Sequence, residues 1–255
     1  MNQYIQGFCQ WDRKKTSMKK LSVYTSRKGG FFLDNETIKR YRKENKEAEK
    51  NAIVFTGSSL MEQFPVEALW KKAKQNGKVF NRGVSGFDTT EFLQVIDTVI
   101  FDLKPRILVI NIGTNDLNDP NYQQETLLKR IEQLFEQVKK RLPHCRLIFL
   151  AFYPVNEEKM LRVGRKETWL LEASKKRNNK QLMQANQAIA SLCKQFSYEF
   201  VDVNKNLKDE KEQLKASYTS DGIHLYSAIY NDIFQELLNK IDFERKNKND
   251  RNTKE

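Results

Sequence analysis

The chain has 255 residues, 39% apolar and 31% charged, with a formal net charge of +12. That length allows one large α/β domain or two small ones, with apolar content enough for a sizeable core, which excludes a miniprotein held by disulfides or metal and argues against global disorder. The basic balance raises nucleic acid as a partner, a reading that depends on where the charge sits. Three scattered cysteines, Cys9, Cys145 and Cys193, have no CxxC spacing. They make neither a disulfide framework nor a zinc site, and a cytoplasmic location is the simplest expectation. No run approaches the ~18 apolar residues of a membrane span, so no integral membrane association is expected. The N-terminus lacks an apolar stretch of signal-peptide length.

Residues 1–34 read as a basic, aromatic arm, a lid or a partly disordered segment. Residues 35–50 predict a polar helix capped by Asn35. The short β-branched run IVFT (53–56) predicts a first strand, closed by Gly57-Ser58-Ser59. A helix over 62–76, a strand in KVFNRGV, and a helix over 89–102 follow. RILVINIG (106–113) is the most apolar strand candidate, followed by a long amphipathic helix over about 121–142. RLIFLAFYP predicts the fourth strand, 155–180 a charged insertion, and 181–197 a helix. YEFVDV predicts the fifth strand, 224–240 the closing helix, and 241–255 a polar tail. Strands alternating with helices imply a parallel sheet covered on both faces, a doubly wound three-layer α/β/α sandwich. The expected domain covers 35–240, with its functional loops at the carboxyl ends of the strands.

Four predicted strand ends carry chemistry-bearing residues. The first ends in Gly57-Ser58-Ser59, where Gly admits a tight turn and either serine is a candidate nucleophile or a helix cap. The second ends in Gly83-Val84-Ser85-Gly86-Phe87-Asp88, a plain turn with Asp88 as N-cap or a loop whose backbone N–H groups approach an anion. Neither a GxGxxG order nor a P-loop is present. The third ends in Gly113-Thr114-Asn115-Asp116, where the uncharged Asn115 amide can donate to an oxyanion or simply shape a turn. After the fifth comes Ser220-Asp221-Gly222-Ile223-His224, read as the opening of the last helix. There Asp221 can hold the His224 imidazole in one tautomer. The only other histidine, His144, precedes a strand, at the opposite end of the sheet.

In this order the blocks Gly57-Ser58-Ser59, Gly86, Gly113-Thr114-Asn115-Asp116 and Asp221-Gly222-Ile223-His224 resemble the SGNH (GDSL-type) hydrolases over residues 50–240. The resemblance extends to bacterial esterases similar to platelet-activating-factor acetylhydrolases and lysophospholipases. It implies a flavodoxin-like sheet of five parallel strands ordered 2-1-3-4-5. It implies Ser59 as nucleophile, His224 as general base and Asp221 as its orienting carboxylate. The backbone N–H groups of Ser59 and Gly86 and the Asn115 side chain would form the oxyanion hole. No metal or organic cofactor is expected. Ser58 stands where the family usually has Asp, which makes it a rival nucleophile. The implied reaction is hydrolysis of a carboxylic ester through an acyl-enzyme, on a short-chain acyl ester, an acetylated sugar or a lysophospholipid.

The charge is unevenly spread. Residues 1–50 carry +7, residues 240–255 carry +2, and residues 161–180, with 7 bases and 2 acids, carry +5. The rest of the chain is near −2. The basic balance therefore belongs to an arm, a tail and one insertion, and no nucleic-acid partner is expected. The insertion holds Met160, Leu161, Trp169, Leu170 and Leu171 among its bases, and reads as an amphipathic flap over the site or as an ordinary surface helix. The alternatives to an esterase are a basic protein binding RNA or an anionic surface through Trp11, Tyr24, Phe31 and Phe32, and a non-catalytic carbohydrate binder on the same fold. Homo-oligomers are possible.

Overall fold

The structure, a computed structural model, describes residues 35–241 and 243. The predicted arm, with the aromatic residues of the RNA-binding alternative, lies outside the described residues, as does the tail apart from Ile241 and Phe243. The helices are α1 (Glu36–Glu47), α2 (Ser59–Glu62), α3 (Val66–Lys72), α4 (Thr89–Gln94), α5 (Ile96–Val99), α6 (Gln124–Arg141), α7 (Glu157–Gly164), α8 (Thr168–Ser174), α9 (Asn179–Phe196) and α10 (Ile229–Lys240). The strands are β1 (Ile53–Gly57), β2 (Val79–Gly83), β3 (Ile107–Asn111), β4 (Arg146–Leu150) and β5 (Glu199–Val201). All strand pairs are parallel, in the order β2-β1-β3-β4-β5. This is the sheet implied by the resemblance.

Successive side chains of a strand point to opposite faces, and both faces here are apolar. Val54, Leu108, Ile110, Leu147 and Phe149 join one core layer with residues of α1, α4, α5, α6 and α9. Ile53, Phe55, Ile107, Val109, Ile148 and Leu150 join the other, with α2, α3 and α10. The three-layer sandwich follows directly. β1, β3 and β4 are buried along their whole length, whereas β5 is a half-buried edge.

Several predicted helices have different limits. The helix expected over 62–76 is the shorter α3, kept apart from α2 by Pro65, which cannot continue the N–H ladder. The helix expected over 89–102 breaks at Val95 and again at Ile100, both off helical geometry. The predicted polar helix is capped by Asn35, which accepts from Thr37 and Ile38 N–H. It also packs inward, its Tyr41 hydroxyl donating to the Gly83 carbonyl at 2.8 Å. The last helix begins at Ile229 rather than 224, so Asp221 and His224 sit on a loop before it.

Candidate active site

The carboxyl ends of β1, β2 and β3 lie side by side and supply one half of the site. β1 ends at Gly57, whose φ of +148° suits glycine. A Cβ there would stand 1.9 Å from the Asn111 carbonyl oxygen, so only glycine lets the chain turn this close to β3. Ser58 follows as N-cap of α2; it is 1% exposed and its side chain makes no capping bond. Ser59 opens α2, half-buried, with its Oγ 3.0 Å from His224 Nε2. The structure thus brings Ser59, and not Ser58, to the imidazole. As first residue of the helix, Ser59 has an N–H with no intrahelical acceptor.

Between β2 and α4 the chain passes through Gly86, exposed and left-handed at φ +83°. The loop is tied down on both sides: Val84 N–H donates to the Gly57 carbonyl at 2.8 Å, and Ser85 N–H to Glu62 Oε2 at 2.8 Å. Asp88 then caps α4 in a reciprocal capping box with Glu91. Asn115, after β3, donates from Nδ2 to the Phe87 carbonyl at 2.9 Å. Its Oδ1 accepts from Arg177 Nη2 at 2.8 Å. The next residue, Asp116, is 5% exposed and bonds both the N–H and the hydroxyl of Thr89, with Arg130 Nη1 at 3.2 Å. Burial pushes the Asp116 carboxyl up to about 6 against the Thr89 hydrogen bonds. Burial, then the Asp88 charge, pushes Glu91 up to about 7.

The other half stands on a loop closed by an antiparallel bridge between Thr219 and Leu225. Asp221 Oδ1 accepts from the N–H groups of Ile223 and His224, each at 2.8 Å, and Oδ2 lies 2.6 Å from His224 Nδ1. Burial works to raise the Asp221 pKa, but the ring hydrogen bond, the His224 charge and the backbone N–H groups outweigh it and hold the carboxyl at about 2. An ionised carboxylate only accepts, so Nδ1 carries the hydrogen of that bond, and in the neutral ring Nε2 is the acceptor facing the Ser59 hydroxyl. Gly222, at φ +94°, makes the turn between them, and its N–H donates to Thr219 Oγ1 at 2.9 Å. This Asx turn, rather than a helical turn, brings Asp221 and His224 together.

The predicted insertion folds as α7 and α8 and buttresses this loop. Asn156 N–H donates to the Gly222 carbonyl at 2.8 Å, and Lys159 Nζ to the carbonyls of Ala216 and Thr219 at 2.7 and 2.6 Å. Met160, Leu170 and Ala173 are buried in the core layer, which makes the segment more than a surface helix. Trp169 stands beside the site, its ring centroid 6.2 Å from that of His224. The sequence reading missed Arg177, which is 4% exposed and reaches Asn115. His144 is exposed in the turn before β4, at the end of the sheet away from Ser59. Among the described residues, no group of three or more His, Cys, Asp or Glu side chains could hold a metal ion.

The doubly wound sheet with these residues gathered at one end defines an α/β protein with a candidate site, and the similarity to known proteins says of which kind. Residues 57–231 match the GDSL-like Lipase/Acylhydrolase family. The chain belongs to that family and is an ester-bond hydrolase. It is 24% identical over 201 residues to the GDSL esterase/lipase WDL1 of Oryza sativa subsp. japonica, covering 73% of this chain and 75% of that one. A solved protein from Streptococcus pneumonia, provisionally named after platelet activating factor, is 29% identical with a TM-score of 0.68 over 80% of this chain and 90% of its own. Axe2, an acetylxylan esterase from Geobacillus stearothermophilus, shares the fold at 16% identity and a TM-score of 0.57, over 77% of this chain and 96% of its own.

Proposed function

We propose that the chain hydrolyses carboxylic esters through an acyl-enzyme on Ser59, with His224 as general base and Asp221 as its orienting carboxylate. The observation that carries this reading is the relay from Ser59 Oγ to His224 Nε2, 3.0 Å, and from His224 Nδ1 to Asp221 Oδ2, 2.6 Å. His224 takes the hydroxyl proton as Ser59 Oγ attacks the ester carbonyl, and the imidazolium is stabilised by the Asp221 carboxylate. The N–H groups of Ser59 and Gly86 and the remaining Nδ2 hydrogen of Asn115 receive the oxyanion. One such donor is typically worth about 3 kcal/mol in the transition state. The tetrahedral intermediate collapses as His224 returns its proton to the leaving alcohol. Water, deprotonated by His224, then attacks the acyl carbon and frees Ser59.

The substrate we assign is a short-chain acyl ester of a small molecule, with Trp169 as an aromatic wall beside the general base. The esterase and acetylxylan esterase names of the relatives support an acyl or acetyl ester without choosing the alcohol. The buried, free Cys145 and Cys193 suit the reducing cytoplasm. Turnover of p-nitrophenyl esters tests both points. Activity is expected to be highest on acetate to butyrate, to vanish in Ser59→Ala and to persist in Ser58→Ala. Activity that rises toward octanoate and longer chains would replace the assigned substrate by a lysophospholipid-like one. Full turnover in Ser59→Ala would overturn the acyl-enzyme itself.

A further inference from the structure

Asn115 is the one member of the proposed oxyanion hole whose donor sits on a rotatable side chain. A backbone N–H is aimed by the fold, but a carboxamide turned by half a rotation about χ2 presents oxygen where it should present nitrogen. An oxygen there would repel the developing oxyanion. Something must fix the amide, and two contacts do. Phe87 offers a carbonyl oxygen to Nδ2 at 2.9 Å, and Arg177 offers an N–H to Oδ1 at 2.8 Å. The reversed amide would set Oδ1 against a carbonyl and Nδ2 against a guanidinium, two acceptors and then two donors face to face.

We infer that Arg177 is a positioning residue for ester hydrolysis, which locks the Asn115 amide with its second Nδ2 hydrogen toward the oxyanion and polarises that amide as a donor. This deepens the proposed function and rests on its oxyanion hole. Arg177 is 4% exposed, so its hydrogen bond to Oδ1 is weakly screened, and a charged donor on the amide oxygen draws electron density from the nitrogen. The contact also joins two parts of the chain. Arg177 follows α8, which packs on the short 3-10 turn Asp116–Asn118 next to Asn115. Its backbone N–H is itself fixed, donating to the Ala173 carbonyl at 2.8 Å. The basic insertion thereby places one of its cations inside the machinery, where it serves the transition state without touching the substrate.

A double-mutant cycle on p-nitrophenyl acetate tests this. Arg177→Met is expected to lower kcat about tenfold or more with KM nearly unchanged, because the lost contact matters where charge develops. Arg177→Lys keeps a charged donor and is expected to recover part of that loss. It also serves if the methionine variant does not fold. In an Asn115→Ala background the same Arg177 substitutions are expected to cost less than about threefold, because the amide they act on is gone. An Arg177 loss of equal size with and without Asn115, or one that falls on KM or only on thermal stability, overturns the inference and leaves the oxyanion hole standing. Unimpaired turnover in Asn115→Ala alone overturns the oxyanion role of Asn115, and this inference with it.

Discussion

The two halves of the site are built by different means. Ser59, Gly86 and Asn115 follow, within four residues, the ends of three neighbouring strands whose residues are almost all buried, so the sheet register brings their loops together. Asp221 and His224 stand on an irregular loop closed by a single bridge pair and held from outside by Asn156 and Lys159 of the insertion. In the first half the backbone positions follow from the buried sheet, with the Asn115 amide turned by its own contacts. In the second they depend on side-chain and turn hydrogen bonds that can loosen while the core stays intact. Arg177 is the exception that crosses over, a residue of the insertion that tunes the strand-end half.

The same substitution made once in each half breaks this comparison open. Gly57→Ala places a Cβ 1.9 Å from the Asn111 carbonyl oxygen, a backbone atom that cannot swing aside, where β1 and β3 end side by side. Its cost is expected to exceed about 4 kcal/mol, and the variant to fail to fold, read by circular dichroism and solubility. Gly222→Ala meets the Asn156 carbonyl and the Met160 side chain, both at 2.6 Å, at a φ of +94°. That clash displaces the loop rather than the sheet. The variant is expected to stay folded, with a Tm several degrees lower, and to lose about tenfold or more in kcat as His224 shifts from Ser59. Equal loss of folding in both variants would erase the distinction.

The smallest expected effect is in the carboxylate cluster under the Gly86 loop. Glu91 has its folded pKa raised to about 7, so its protonated form is favoured by the native state. The stability this contributes is present below its unfolded pKa of about 4.3 and is lost as pH rises through about 7. Glu91→Gln keeps an amide oxygen to accept from Asp88 N–H and cannot ionise. The Tm of the parent protein is therefore expected to fall relative to that of Glu91→Gln between about pH 4.5 and 7. Parallel curves would contradict the raised pKa. Asp221 behaves oppositely: held at about 2, it stays ionised throughout this window and leaves the curve unaffected.

The strand-end half was largely legible in the sequence. Gly57, Gly86 and Asn115 each follow a predicted strand, and the parallel sheet implied by the alternation of strands and helices brings such ends together. The Asp221–His224 pair was legible as a pair, but not as a loop. Spacing of three fits a helical turn as well as an Asx turn, and only the left-handed φ of Gly222 decides against the helix. Arg177 carried no local signal. In the run Lys175-Lys176-Arg177 nothing separates it from its basic neighbours, and its burial is a property of the tertiary structure. Helix limits differ where the backbone leaves helical geometry inside an otherwise periodic stretch, as at Val95 and Ile100.

The most direct test of the account is covalent capture of the nucleophile. A fluorophosphonate reacts only with a serine whose hydroxyl is activated, and peptide mass mapping locates the adduct between two adjacent serines. One adduct per chain on Ser59, abolished in His224→Gln, is the result the account predicts. An adduct on Ser58, or no labelling of a protein that still hydrolyses p-nitrophenyl acetate, would contradict it.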